Sequence, residues 1–585
     1  VNTKNKGGAK VNTTILKRQM QNFSLENLKR FLGKNLVDTL LEWTPENQPL
    51  FTKSKLTDMI LTVHGVKVFK NPDFRLALLK TFCKEDIFDI GEIIGINSRA
   101  ESDLELIVKT AASSVWKDSK VSRKVIQILE IDGDIFEKQL INDTVLHTIS
   151  AEDRFFELLD YQFVIKQRLL NELNSSSELN RMIVHMPTGT GKTKTAMHTI
   201  CHHYNFNLHK KGLILWIAHT NELLQQAFET FKSVWKHLGA GDVVACKVWG
   251  VNDVSQTDFD YNGFMFCGIQ KLMSIATSSP EVFKVLIQNC SLLIFDEAHK
   301  AGAAETKNLI EKFMVKKHDM CDRALVGLTA TPGRFTDLNV DNDLLASMFG
   351  NKIISIDTEI MNYINMSKIE AMNVKVEENI ISYFQRKKIL AKVKKEQLTY
   401  PEKLSALEIS KIKDSATNNG YNDFTTKALE TIGRNKSRNL TIMKRLRELN
   451  ATNMPTIVFA CSVEHGQLLS SMLSVEGIPN ALVIGDMLPQ ERENSIKAFK
   501  DRKNPMNILI NYEVLTTGFD STNIKCVFIA RPTQSVVLYS QMLGRGLRGP
   551  KMGGNEECLL IDIKDNLERY NEKLAFGHFD NYWKV

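Results

Sequence analysis

From about residue 20 to residue 150 the apolar positions recur every three to four residues, the spacing of amphipathic helices. "SLENLKRFLGKNLVDTLLEW" opens on a capping-box-like neighbourhood at Ser24–Glu26, and "ESDLELIVKTAASSVW" and "KVIQILEIDGDIFEKQLI" repeat the spacing. This region carries neither an internal repeat nor a chemical motif, so it predicts a helical accessory domain. The pattern then changes. Short continuous apolar runs, "RMIVHM", "GLILWIA", "VVACKVW", "GFMFCGI", "LLIFDE" and "ALVGLT", alternate with helical stretches. Runs without polar alternation mark strands buried on both faces of a parallel sheet. A second series begins near residue 455 with "TIVFAC", "ALVIG", "NILINY", "CVFIAR" and "CLLIDI". Two such series predict two tandem α/β domains. Residues 336–440 between them are polar and helix-prone. There "NKIISID" is expected to complete the first sheet. The run "QRKKILAKVKKEQ" at 385–397 is expected on a basic helix face, solvated or touching nucleic acid.

Composition narrows the class without naming it. The hydrophobic fraction of 43% and charged fraction of 24% are those of an ordinary globular protein. Apolar runs are strand-length, too short to span a membrane, and no signal-peptide pattern opens the chain, which begins on a polar stretch without an initiator Met. The nine cysteines are scattered with no C-x-x-C pair, and several, such as Cys267 and Cys461, fall inside predicted strands. They are expected to be small core hydrophobes in a reducing, cytoplasmic compartment rather than metal ligands or disulfides. A net charge of +7 permits a nucleic-acid partner.

The chemistry starts at "MPTGTGKT", residues 186–193. A glycine-rich turn between a buried strand and a helix N-terminus aims several backbone N–H groups into one concavity, and the helix dipole adds positive charge there. Thr188, Gly189, Thr190 and Gly191 would cradle a polyphosphate. Lys192 would reach its β- and γ-phosphates, and the Thr193 hydroxyl would hold Mg²⁺. The strict pattern has glycine where this chain has Met186, so alone the run is also compatible with a plain glycine-rich turn. "LLIFDEAHK" strengthens the phosphate assignment. Asp296 and Glu297 follow an apolar strand, where ligands bind in open α/β sheets. Asp296 can hold the metal, and Glu297 can take a proton from an attacking water.

In order, "MPTGTGKT", "AHTNELLQQ", "DEAH" and "GLTATP" resemble the first RecA-like domain of superfamily 2 helicases and translocases. The resemblance implies that Gln162, in "LLDYQ", reads adenine and that Thr220 contacts a strand phosphate. It implies that His299, Thr329 and Thr331 couple hydrolysis to domain movement. "VLTTGFD" and "YSQMLGRGLRG" resemble the late motifs of the same family. Charge develops on the equatorial oxygens in phosphoryl transfer, so arginines arriving from a second domain stabilise the transition state. Arg545 and Arg548, three apart on a predicted helix start, would share one face with Gln541, and Gly544 and Gly546 would permit close approach. Asp520 resembles a ribose- or arginine-positioning carboxylate, and Ser462, Thr516 and Thr517 resemble strand-phosphate contacts.

The second half is closest in motifs to RadD-like helicases and to restriction-enzyme motor subunits. The zinc element of the RadD-like group has no counterpart here, while the helical region 1–150 is additional. The fold expected is α/β: two tandem RecA-like parallel-sheet domains preceded by a mainly helical accessory domain. The domains expected are 1–150 helical, 151–355 the first RecA-like domain, 356–440 a helical basic linker, 441–570 the second RecA-like domain and 571–585 a tail. The resemblance implies ATP and Mg²⁺ at the cleft between the two RecA-like domains and movement along nucleic acid. DNA is favoured over RNA because the motifs differ from the "GETGSGKT" and "QRxGRxGR" forms of DEAH-type RNA helicases. Such a motor fits a repair or anti-phage system with a protein partner on the N-terminal domain. The alternative is a nucleic-acid-sensing ATPase switch that holds or releases an effector through that domain.

Overall fold

A computed structural model describes residues 13–43, 51–131, 136, 145–152, 155–175, 180–250, 252–254, 260–314, 323–332, 339–356, 380–401, 423–516, 519, 521–533 and 535–564. Two candidate residues of the late motif, Thr517 and Asp520, lie outside them. The chain divides into two compact units. One holds Val1–Gln139, Leu398–Lys411 and Thr426–Val514; the other holds Leu140–Gln397, Ile412–Thr425 and Leu515–Val585.

The larger unit, around residues 140–397, is built on strands β1 (Leu146–Ile149), β2 (Asn180–His185), β3 (Leu213–Ala218), β4 (Val243–Val248), β5 (Gly263–Gly268), β6 (Cys290–Asp296), β7 (Ala324–Thr329) and β8 (Ile353–Ser355). They form one sheet in the order β1-β4-β5-β3-β6-β7-β2-β8, parallel except for the β1–β4 pair. Every residue of β3, β5 and β7 is buried, as their unbroken apolar runs require for strands covered on both faces. One face is filled by aromatic rings of β5 and the helix Asn221–Leu238, with Phe231 and Phe264 at 4.3 Å between centroids. "NKIISID" supplies β8 beside β2, as expected.

The basic run 385–397 does not form one helix face. The helix Ile380–Arg386 stops at its first residues, and after a turn Lys392–Leu398 forms strand β9. None of its residues is fully buried and its three lysines are exposed, the dress of an edge strand.

In the smaller unit, β10 (Thr456–Phe459), β11 (Asn480–Val483) and β12 (Ile508–Asn511) run parallel in the order β11-β12-β10. The remaining strands of the second series, β13 (Cys526–Ile529) and β14 (Glu557–Ile563), pair in parallel within the larger unit, with β9 beside β14.

The N-terminal helices belong to the smaller unit. Their core is a set of edge-to-face phenylalanines, Phe23, Phe31, Phe69 and Phe74. "SLENLKRFLGKNLVDTLLEW" is two helices, Leu25–Leu32 and Lys34–Trp43, because Gly33 sits between them at φ +110. Ser24 does cap the first helix, accepting from Asn27 N at 3.1 Å, so the third helical residue and not Glu26 completes the cap. These helices pack on the β10–β12 half, and polar contacts among the described residues include a plug at Glu491 as well as Lys436 on Glu42. Val66 N–H donates to Glu491 Oε1 at 2.8 Å, and Lys67 pairs with Asp486. A Cβ on Gly65 would lie 2.3 Å from that Glu491 oxygen, and the φ of +54 there also favours glycine.

Candidate active site

Three adjacent strands of the larger unit, β6, β7 and β2, end side by side, and each carries one piece of the chemistry at its C-terminal end. The turn after β2 has Gly189 at φ +85 and Gly191 at φ +82, both left-handed, and the helix Lys192–His202 starts directly after it. The Thr190 carbonyl is pinned from behind by Tyr161 Oη at 2.6 Å and Gln162 Nε2 at 2.9 Å. Gln162 Oε1 accepts from Leu159 N at 3.0 Å. This glutamine therefore braces the glycine-rich loop itself. Met186 explains the departure from the strict pattern: its side chain is fully buried in the sheet core, and its backbone needs no left-handed φ. Burial pushes the neighbouring His185 down to about 4, and its Nε2 lies 3.2 Å from Ala330 O, tying the β2 and β7 loops together.

Lys192 Nζ lies 3.8 Å from Asp296 Oδ1 and 3.7 Å from Glu297 Oε1. Burial pushes the Asp296 carboxyl up to about 6, with Lys192 pulling the other way. Burial acts on Glu297 in the same sense, but the positive charges of Lys192, Lys300 and Arg545 outweigh it and hold that carboxyl below its ordinary value. Glu297 also sits at φ +55, ψ 56, a left-handed backbone rare for a residue with a side chain. The Thr193 hydroxyl, in the first turn of the helix Lys192–His202, and the Asp296 carboxylate, at the end of β6, are hard oxygens of the kind Mg²⁺ takes.

His299 stands at the centre of a buried relay. Its Nδ1 is 3.3 Å from Thr329 Oγ1 and 3.5 Å from Glu297 Oε2. Its Nε2 is 3.3 Å from Gln541 Nε2. The amide nitrogen is a donor only, so His299 Nε2 accepts and the ring proton sits on Nδ1. Burial holds the ring neutral, pushing it down to about 3 although Glu297 pulls upward. Thr329 Oγ1 donates to Thr331 O at 2.8 Å and accepts from Thr331 N at 3.0 Å, which closes the "TATP" turn on the relay.

The late-motif arginines belong to this same unit. The helix Val536–Leu543 ends before them, so Arg545 and Arg548 sit in the turn and extended segment beyond it and not on a helix start. Gly544 caps that helix so close to the phosphate loop that a Cβ there would be 2.4 Å from Thr188 Cγ2. Gly546 lies equally tight against Cys558, where a Cβ would be 2.3 Å from the sulfur. Arg545 donates from Nε to Gln541 O at 3.2 Å and from Nη1 to Phe519 O, beside Glu297. Both arginines are half-buried, and burial pushes both guanidiniums down to about 10.

Residues 155–334 match the family described as type III restriction enzyme, res subunit, and residues 439–549 match the helicase conserved C-terminal domain. Both matched regions are similar to the motor domains of superfamily 2 helicases, restriction-enzyme motors among them. Among curated relatives, IRC3 of Saccharomyces cerevisiae, named as an ATP-dependent helicase, is 24% identical over 69% of this chain and 51% of its own length. A mitochondrial counterpart named irc3 in Schizosaccharomyces pombe is 27% identical over 70% and 59%. The chain thus spans between half and three-fifths of the length of these two relatives. A solved fragment of an HsdR subunit of a type I restriction enzyme from Vibrio vulnificus is 19% identical, covering 72% of this chain and 66% of that one, with a TM-score of 0.44.

Two of the superfamily 2 strand-contact candidates are helix N-caps. Thr220 caps Asn221–Leu238, its Oγ1 accepting from Leu223 N at 3.3 Å. Ser462 caps Val463–Val475, its Oγ accepting from His465 N at 3.1 Å. Each hydroxyl keeps its own proton for donation beside a helix N-terminus, a setting that suits an anion. Thr516 is buried just after β12. Thr220 and Thr516 lie in the larger unit and Ser462 in the smaller. Sequence reasoning missed His185 and the whole 380–398 segment as parts of the site. Only the apolar pairs Tyr383-Phe384 and Ile389-Leu390, set among lysines, mark that segment as something other than a solvated helix.

Proposed function

We propose that this chain is an ATP hydrolase that drives movement along nucleic acid, DNA rather than RNA. The observation that carries this is the convergence of Lys192, Asp296, Glu297, His299, Gln541 and Arg545 in one partly buried site of the larger unit. In this account the loop amides and Lys192 bind the β- and γ-phosphates. Thr193 and Asp296 would hold Mg²⁺, which would supply charge neutralisation for the phosphates. Glu297, ionised at neutral pH, takes the proton of the water that attacks the γ-phosphorus, and the bond to the β–γ bridging oxygen breaks to release ADP. Arg545 and Arg548 stabilise charge on the transferring group. The neutral His299 senses whether the γ-phosphate is present and passes that state to Gln541 and the "TATP" turn. Thr220, Ser462 and Thr516 contact strand phosphates, and the N-terminal helices recruit a protein partner in a repair or defence assembly.

The test is steady-state ATP turnover across single-stranded, duplex and forked DNA and RNA. Turnover should rise with DNA, with a salt-dependent apparent affinity. Turnover unaffected by every nucleic acid would reject the motor.

A further inference from the structure

The segment 380–398 carries no motif, yet it is bonded to the phosphate-loop side and to the arginine segment at once. On one side, the fully buried Phe384 meets Tyr161 edge-on, with centroids 4.9 Å apart, and Tyr161 is the residue whose hydroxyl holds the Thr190 carbonyl. On the other side, the chain from Lys388 to Lys392 runs antiparallel to the segment bearing Arg548. Ala391 N donates to Leu547 O at 2.8 Å and Gly549 N donates to Ile389 O at 2.8 Å, so Leu390 and Arg548 are bridge partners. Lys551 N to Lys388 O at 3.0 Å extends the pairing, and Lys392 N to Glu556 O at 2.9 Å leads into the neighbouring β9 and β14. The approach is so close at Gly549 that a Cβ would sit 2.4 Å from Lys388 O. Leu390 and the Arg548 stem reach the phosphate loop together: a Cβ on Gly189 would lie 3.5 Å from Arg548 Cγ and 3.6 Å from Leu390 Cδ2. A cavity of only about 30 Å³ remains where Pro187, Thr188, Ala330, Leu390, Leu543 and Leu547 meet.

An arginine that must meet a transferring phosphoryl group has to be held to a fraction of an ångström, and a glycine-flanked turn cannot hold it alone. We propose that residues 380–398 are a positioning latch that fixes Arg548 over the phosphate loop, linking it through Phe384 to the Tyr161 brace. The latch rests on the proposed action of Arg548 on the transition state. It makes 380–398 a part of the hydrolytic machinery and not a linker.

The experiment compares wild type with Phe384→Ala, Phe384→Leu, Gly549→Ala and Arg548→Ala. It measures kcat and KM for ATP, and affinity for ADP with aluminium fluoride against a non-hydrolysable ATP analogue. For Phe384→Ala and Gly549→Ala the latch predicts kcat lowered by about tenfold or more with KM changed by less than about threefold. Binding of the aluminium fluoride complex should weaken while the analogue binds as before, and Phe384→Leu should restore most of the activity. Gly549→Ala guards against a folding defect at the buried ring. Unchanged kcat in both, or equal loss of affinity for both nucleotide complexes, would overturn the latch. If Arg548→Ala itself keeps wild-type turnover and aluminium fluoride binding, the arginine assignment fails instead, and the two failures are told apart.

Discussion

Glu297 is the residue where the chain accepts strain to place a charge. A left-handed backbone at a residue with a Cβ costs about 1–3 kcal/mol and persists only when its surroundings over-determine it. Here β6 fixes it from one side, while Lys192 and His299 fix its carboxylate from the other. Glu297→Gln keeps the shape and removes the proton acceptor. It is expected to lower kcat by about a hundredfold or more while nucleotide stays bound, read as slow single-turnover release of phosphate. Turnover near wild type would remove Glu297 from the chemistry. The identity of this residue was legible in the sequence, because an acid at the end of an apolar run is a strong signal. Its backbone was not, since φ depends on what the carboxylate meets after folding. Gln162 was expected to read adenine, and its bond to the Thr190 carbonyl, which belongs to the folded loop, left no trace in the sequence.

At the scale of elements, strands covered on both faces were easy to read, because burial demands unbroken apolar runs such as those of β3, β5 and β7. The elements that sequence missed, β1 and β9, are short or charged edge strands whose stability comes from a neighbour's backbone and leaves little trace in their own side chains. The late-motif arginines were expected on a helix, but Gly544 ends it, since the approach to Thr188 leaves no room for a Cβ. A second element with a specific lock is the N-terminal helical group, held by the Glu491 carboxylate on Val66 N–H. Glu491→Ala leaves a buried N–H without its acceptor, at a cost of about 1–3 kcal/mol. The expected outcome is a lower unfolding temperature and faster proteolytic release of the N-terminal helices, with ATP affinity unchanged. Identical protease resistance in the variant would show that the plug does not hold the helices.

On the scale of the whole molecule, buried neutral histidines set the response to acid. His185, His299 and His465 are pushed by burial to about 4, 3 and 3, against an ordinary value of 6.5. His465 accepts from Cys461 N at 3.0 Å, so its other nitrogen carries the proton toward Asn439 Oδ1 at 2.9 Å. Below 6.5 the unfolded chain takes up protons that the folded chain refuses. The stability these rings contribute is therefore complete above that pH and is lost as pH falls toward their folded values, by about 2 kcal/mol each at pH 5. His185 and His299 lie in the larger unit and His465 in the smaller, so both should melt earlier in acid. Unfolding temperatures that stay level from pH 7 to 5 would contradict this. If Lys192 and the late-motif arginines serve one site, Arg545→Ala should lower steady-state kcat for ATP by about a thousandfold or more while ATP affinity changes only a few-fold. Turnover of Arg545→Ala at the wild-type rate would separate the arginine from that site.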